Sequence, residues 1–264
     1  FLGITAGVPD EARIAERVRH AGARMIGMNS LGLFDASTEL QLAWGNFTEG
    51  SIAVISQSGQ LGSEISGIAS RAGLGISRFV SVGNQTDVLA AELLEDLVAD
   101  ERTRVVALYL ESFAGGQDII RAIRRLREAG KHTVVLTVGG SDASSRLARS
   151  HTGSMTSALD VVDAALRVAG AVRVSTPSEV VDVARLLIAA DLPRGNRVAI
   201  VGDSGGQTGI AADVASAAGL DVEAFPESLG QHLTRMLPDG AACTNPVDLA
   251  GAGEQYLTNY VLVV

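Results

Sequence analysis

Two stretches, AVISQSGQLGSEI and AIVGDSGGQTGIA, constrain this chain more than any other feature. In each, a short apolar run ends in a Ser-Gly pair (Ser58-Gly59 and Ser204-Gly205), and a further glycine follows three or four residues on. Helical spacing begins at once after the pair. The same strand–turn–helix plan recurs along the chain, which is the pattern of βαβ units on a parallel sheet.

Residues 1–45 read as a strand (Phe1 to Thr5), a helix from Pro9 to His20, a second strand at ARMIG and a loop, MNSLGLFD. That is the last part of a doubly wound domain. A new unit begins at Glu49, with a buried strand from Ser51 to Ile55, a turn from Ser56 to Gly59 and a helix to about Arg71. Further strands are predicted at ISRFVSV, RVVALYL, HTVVLTV and AVRVS. Helices are predicted over Asp87–Ala99, Gln117–Ala129 and Thr156–Val168, and from Pro177 to near Ala190, where proline suits a first turn. After the Pro/Gly linker ADLPRGN, a third unit starts at RVAIVGD. Its closing YVLVV is predicted as a strand. Only about ten residues separate it from NPVDL, too few for a crossover helix, so this unit is expected to be incomplete. The domains are therefore 1–48, 49–192 and 193–264.

Composition narrows the function. Only 4% of the residues are aromatic and 30 are glycine, a mix suited to layered α/β units. The net charge of −9 argues against a nucleic-acid groove. It leaves phosphate ligands open, because backbone N–H groups at helix starts bind anions whatever the global charge. The apolar runs are too short to cross a bilayer, so no membrane partner is expected. A single cysteine, Cys243, forms no intramolecular disulfide and fits a reducing, cytoplasmic setting. The chain opens in mid-strand, and an upstream segment is expected. The only lysine is Lys131, in a helix-to-strand turn, and no G-x-x-x-x-G-K-[ST] occurs. A P-loop grip on ATP is thereby excluded.

The two Ser-Gly turns fit an anion seat: glycine removes the Cβ that would keep a ligand off, and the helix end is positive. Neither meets G-x-G-x-x-G, and each is equally consistent with a structural turn. His151 lies in RSHTGSM among Ser150, Thr152, Gly153 and Ser154, all small, just ahead of a helix. An accessible imidazole surrounded by hydroxyl and amide donors suits a nucleophile that takes up and gives back a phosphoryl group. An inert surface-loop histidine fits the same spacing. His20, His132 and His232 read as structural or solvated, and no histidine pair has metal-ligand spacing, so no metal site is expected.

Taken together, SHTG, SQSG, SVGNQTDV and NPVDL, in that register and domain order, resemble the NDP-forming acyl-CoA synthetases, the superfamily of succinyl-CoA synthetase and ADP-forming acetyl-CoA synthetase. The likeness covers nearly the whole chain. It implies two flavodoxin-like (succinyl-CoA synthetase-type) parallel-sheet domains preceded by the tail of a Rossmann-like CoA-binding domain. It implies a ligase that converts a small carboxylic acid, CoA and ATP to acyl-CoA, ADP and phosphate through acyl phosphate and phosphohistidine. His151 matches the phosphorylated histidine, and Glu111 the glutamate on its far nitrogen. Ser56, Ser58 and Gly59, with Thr152 and Gly153, match the phosphate seat beside the histidine. Ser204, Gly205 and Gly206 match its nucleotide-side counterpart, and Asn29, Ser30, Gly83 and Asn84 match the CoA side. ATP/ADP with Mg²⁺ would be held mainly by an ATP-grasp subunit or fused domain outside these residues, in an oligomeric assembly.

The chain departs from the family pattern at GMNS (Gly27 to Ser30), where the family carries Gly-Pro-Asn-Cys. The first half of the CoA-binding domain lies outside these residues. The alternative implied by the resemblance is a CoA- or acyl-CoA-sensing module of a larger protein such as an acyltransferase. Retention of His151, Glu111 and both Ser-Gly turns favours the enzyme.

Overall fold

The computed structural model describes residues 1–263 except 114, 142, 145, 147–158, 190 and 191. The chain forms two compact units, Phe1–Asp191 and Leu192–Val264.

The first unit is organised by one sheet. Its strands are β3 (Leu33–Asp35), β4 (Leu40–Gln41), β5 (Glu49–Ser56), β6 (Ile76–Ser81), β7 (Val105–Leu110), β8 (His132–Thr137) and β9 (Val172–Val174), in the order β4-β3-β6-β5-β7-β8-β9. From β6 to β9 all pairings are parallel, and β3 and β4 add an antiparallel edge. The first strand of the parallel set thus lies between the second and the third, the doubly wound order. MNSLGLFD, expected as a loop, supplies β3. Its Leu33, Phe34 and Asp35 pair with Val80, Phe79 and Arg78, so an apolar pair too short for a periodicity to show is captured by the edge of a sheet.

The central strands are apolar along their whole length because both faces are covered. On β7, Val105, Ala107 and Tyr109 enter one core with Ile65 and Ala69 of α2 (Gly59–Arg71) and Val180, Val181 and Ala184 of the helix Pro177–Ala189. Val106, Leu108 and Leu110 enter the other. That core includes Leu94 and Leu97 from α3 (Ala90–Asp96) and the turn after it, Ile119, Ile123 and Leu126 of α4 (Gly116–Glu128), and Leu166 of the helix Leu159–Ala169.

Before the sheet, β1 (Leu2–Gly3) pairs in parallel with β2 (Ile26–Gly27), and α1 (Glu11–His20) connects them. Asp87 clips this segment to the sheet. Its carboxylate accepts from the Met25 amide at 2.7 Å and from Arg24 Nε at 3.2 Å, and its side chain is 1% exposed. Lys131 is likewise spent on structure. Its Nζ donates to the carbonyls of Leu97 and Asp100, closing the turn after α3, and only 8% of the residue is exposed.

In the second unit, β10 (Val201–Gly202) pairs in parallel with β12 (Val247–Asp248), and β11 (Ala242–Cys243) pairs antiparallel to β12. The Asn245 amide donates to the carbonyls of Val198 and Glu223, at 2.8 and 2.9 Å, and accepts from Ile200 N at 3.0 Å. The segment expected as a closing strand is instead a helix, Thr258–Val263. Tyr260 and Val263, three residues apart, pack on a core of Leu233, Leu237, Val247 and Leu249. A short apolar run carries both periods, and packing decides between them.

Burial alone would raise the Asp87 carboxyl, but the Met25 amide and the Arg24 guanidinium outweigh it and hold it below the usual carboxylate range. A depressed folded value stabilises above the unfolded value of ~4 and is lost as pH falls through the folded value. Asp87→Asn should therefore cost about 2 kcal/mol near neutrality. Its melting temperature should fall less steeply than that of the parent between about pH 5 and pH 3, as read by calorimetry across that range.

Candidate functional site

In a sheet of this order the crevice forms outside the carboxyl ends of the strands where the winding reverses, here β5 and β7. At the end of β5, Ser56 is fully buried and its Oγ donates to the carbonyl of Ser58, shaping the turn. Ser58 caps α2: its Oγ accepts from the Leu61 amide at 3.3 Å and its carbonyl from the Gly62 amide at 3.0 Å. These bonds leave the amides of Gly59 and Gln60 as donors at the helix mouth. The first turn of α2 carries no acidic residue, so no side chain of that turn offsets its positive end.

A cavity of about 280 Å³ opens at this mouth. Asn29, Ser30 and Leu31 line one side, Gln57, Ser58, Gly59 and Gln60 the other, with Ile4 and Trp44 completing it. Trp44 is 76% exposed. The close approach of the two sides requires glycine: a Cβ on Gly59 would lie 2.3 Å from Leu31 Cβ. The facing loop is fixed by Ser30, whose Oγ donates to the Ser81 carbonyl at 2.6 Å and accepts from the Gly32 amide at 3.0 Å. Gly83, at φ +55°, and Asn84 brace that loop from behind. A Cβ on Gly83 would fall 2.0 Å from the Met28 carbonyl oxygen, and the Asn84 amide donates to that oxygen at 2.8 Å. The Asn84 side chain donates to Glu11 at 2.9 Å. Asn29 and Ser30 therefore share the cavity with Ser58 and Gly59, whereas Gly83 and Asn84 support it from outside.

Glu111 follows β7 directly. Its amide donates to Gln57 Oε1 at 2.9 Å, and the Ser112 amide reaches the same oxygen at 3.4 Å. Tyr109 turns its hydroxyl to Glu111 Oε1 at 3.5 Å. Burial first, then the Glu111 charge, push the Tyr109 phenol well above its ordinary value, so it stays a neutral donor. His151, Thr152 and Gly153 lie outside the described residues.

In the second unit, Ser204, Gly205 and Gly206 open the helix Gly205–Ala217. The Asp248 carboxylate stands at this opening: a Cβ on Gly205 would come within 2.8 Å of Asp248 Oδ2, while Oδ1 accepts from the Ala250 amide at 2.9 Å. The two helix starts, alike in sequence, thus differ in charge. One faces Asn29 and Ser30, the other a carboxylate. Among the described residues no group of three His, Cys, Asp or Glu is placed to hold a metal ion, and no helix is long and apolar enough to cross a membrane.

Sequence reasoning passed over Gln57, Trp44, Ile4 and Asp248. Gln57 and Asp248 stand inside SQSG and NPVDL, so the motifs drew attention to the right places and not to these side chains. For Trp44 the available signal was its being the single tryptophan.

Residues 49–187 match the family model described as the succinyl-CoA ligase like flavodoxin domain. Over 253 residues the chain is 33% identical to the alpha subunit of ADP-forming acetate–CoA ligase II from Pyrococcus furiosus, covering 95% of this chain and 55% of that one. It is 29% identical over 250 residues to the ADP-forming 4-hydroxybutyrate–CoA ligase of Nitrosopumilus maritimus, covering 93% of this chain and 36% of that one. Among solved structures, the Ca. Korarchaeum cryptofilum dinucleotide forming acetyl-coenzyme A synthetase 1, in complex with phosphate and ADP, superposes with a TM-score of 0.87 at 29% identity. That match covers 95% of this chain and 56% of that one. The chain thus spans about half the length of the Pyrococcus furiosus relative.

Gly59→Ala tests the helix mouth. The added methyl must displace Leu31, at a cost of about 1–3 kcal/mol, and crowd the cavity. A lower melting temperature is expected, and if the helix mouth is a phosphate seat, titration calorimetry should show weaker phosphate binding than in the parent.

Proposed function

The chain belongs to the succinyl-CoA ligase-like flavodoxin-domain family, and from that premise we propose that it forms the acyl-transfer and phosphohistidine part of an NDP-forming acyl-CoA synthetase. The reaction is acid + CoA + ATP ⇌ acyl-CoA + ADP + phosphate. The observation that supports this reading is the cavity at the start of α2, where the Asn29–Ser30 loop faces a first helical turn without acidic residues, while the Glu111 amide is bonded to Gln57, one of the lining residues. The relatives support a small carboxylic acid as substrate, since the ligases named above act on acetate and on 4-hydroxybutyrate.

In the synthetic direction, an imidazole nitrogen of His151 takes the terminal phosphoryl group of ATP, and ADP departs. A carboxylate oxygen of the acid then attacks phosphorus, the N–P bond breaks and acyl phosphate forms. The CoA thiol sulfur attacks the acyl carbon, the C–O bond breaks, and phosphate leaves with the proton released from the thiol. The Gly59 and Gln60 amides and the positive end of α2 favour the phosphate's charge in each of these states without reorganising, which is how a fixed dipole lowers such barriers. Glu111 would accept from the far nitrogen of His151, fixing its tautomer and steadying the charged phosphohistidine. Thr152 and Gly153 would add donors beside it.

Ser204 to Gly206 would serve the nucleotide-side station. ATP and its Mg²⁺ would bind on an ATP-grasp domain or subunit beyond these residues, in an oligomeric, cytoplasmic assembly. The family's cysteine position is Ser30, which is 2% exposed and hydrogen-bonded through its Oγ, so it would position the loop and take no part in thioester chemistry.

With the ATP-grasp partner and phosphorus-labelled ATP, the protein should take label on His151 that is lost in acid and retained in base. His151→Ala should abolish it with the circular dichroism spectrum unchanged. Glu111→Gln should slow labelling by about tenfold or more and leave CoA affinity within about twofold. CoA binding with no phosphoenzyme would instead mark a sensing module.

A further inference from the structure

Gln57 stands between the cavity at the start of α2 and the turn after β7. Its main-chain N–H donates to the Tyr109 carbonyl at 3.0 Å, continuing the β5–β7 ladder one step past the last strand residue. Its side-chain oxygen then reaches across and accepts two amides in succession, Glu111 at 2.9 Å and Ser112 at 3.4 Å. One residue therefore replaces the hydrogen bonds that the sheet can no longer supply where β5 turns away into α2. Without it, the Glu111 and Ser112 amides would point into a partly buried gap between two strand ends, and an unpaired buried amide is costly. Gln57 also lines the cavity at the start of α2. The turn that carries the carboxylate and the turn that opens the helix are thus joined through a single carboxamide.

We infer that Gln57 is a positioning residue for phosphoryl transfer: it sets where the Glu111 carboxylate stands relative to the mouth of α2. The inference rests on the reading of Glu111 proposed above. Glutamine suits the task because its carbonyl accepts two bonds without adding charge beside a carboxylate and a phosphate. Methionine has similar length and no comparable acceptor, so Gln57→Met removes the link with little change in volume.

Two measurements on the full synthetase, with its ATP-grasp domain, test this. The first is hydrogen exchange followed by mass spectrometry. In Gln57→Met, exchange of the Glu111 and Ser112 amides should rise by about tenfold while the core of β7 is unchanged. Unchanged exchange would overturn the inference irrespective of any activity. The second is a double-mutant cycle on the rate of phosphoenzyme formation. Gln57→Met alone should slow labelling by about tenfold with CoA affinity kept within about twofold, and in a Glu111→Gln background it should add less than about twofold. Multiplicative effects would mean that Gln57 does not act through Glu111, and the inference would fall. Absence of label on the parent enzyme would overturn the proposed function, while the exchange measurement would still decide the link itself.

Discussion

The register between β5 and β7 is the constraint on which the rest of the first unit depends. Ser56 lies opposite Tyr109, so the two strands end at the same level and the turns that follow begin side by side. Each strand is buried on both faces, which forbids a slip: moving β7 by one residue would drive Val105, Ala107 and Tyr109 into the core now filled by Val106, Leu108 and Leu110. The crevice is a by-product of that packing. Once β5 has β6 on one side and β7 on the other, the chain must leave β5 in one direction and return in the other. A helix mouth and a strand end are then left facing the same gap.

Much of this was legible in the residues. The apolar runs of β5, β7 and β8 and the Ser-Gly opening of α2 carry period and turn chemistry strong enough to read singly. The α/β class follows from their alternation and the flavodoxin-like type from the family resemblance, and the comparisons agree with both. What escaped was set by partners distant in the chain. Leu33 to Asp35 form a strand only because β6 offers an edge, and Thr258–Val263 is helical only because Tyr260 and Val263 find the same small core. The site shows the same division. Asn29 and Ser30, which the resemblance gives to the CoA side, line one cavity with Ser58 and Gly59, which it gives to the phosphate seat, and no motif states that juxtaposition. The link from Gln57 to Glu111 spans 54 positions and leaves no local trace.

The paired helix starts show how far a repeated motif can diverge in its surroundings. Ser58-Gly59 opens onto hydroxyl and amide groups. Ser204-Gly205 opens onto Asp248, itself held by the Ala250 amide. The asparagine of the same NPVDL stretch ties three backbone groups together, so within five residues one polar side chain serves the fold and another charges the mouth of a helix.

The seclusion of Lys131 has a chemical corollary. Acyl phosphates and thioesters transfer their acyl groups readily to free amines, and a protein that handles them risks modifying itself. Here the sole lysine keeps its ammonium behind two carbonyls, and the other 20 basic side chains are guanidiniums, which remain protonated and poor nucleophiles. The sole lysine of this chain thus offers no open amine to the activated acyl groups that the proposed reaction would generate.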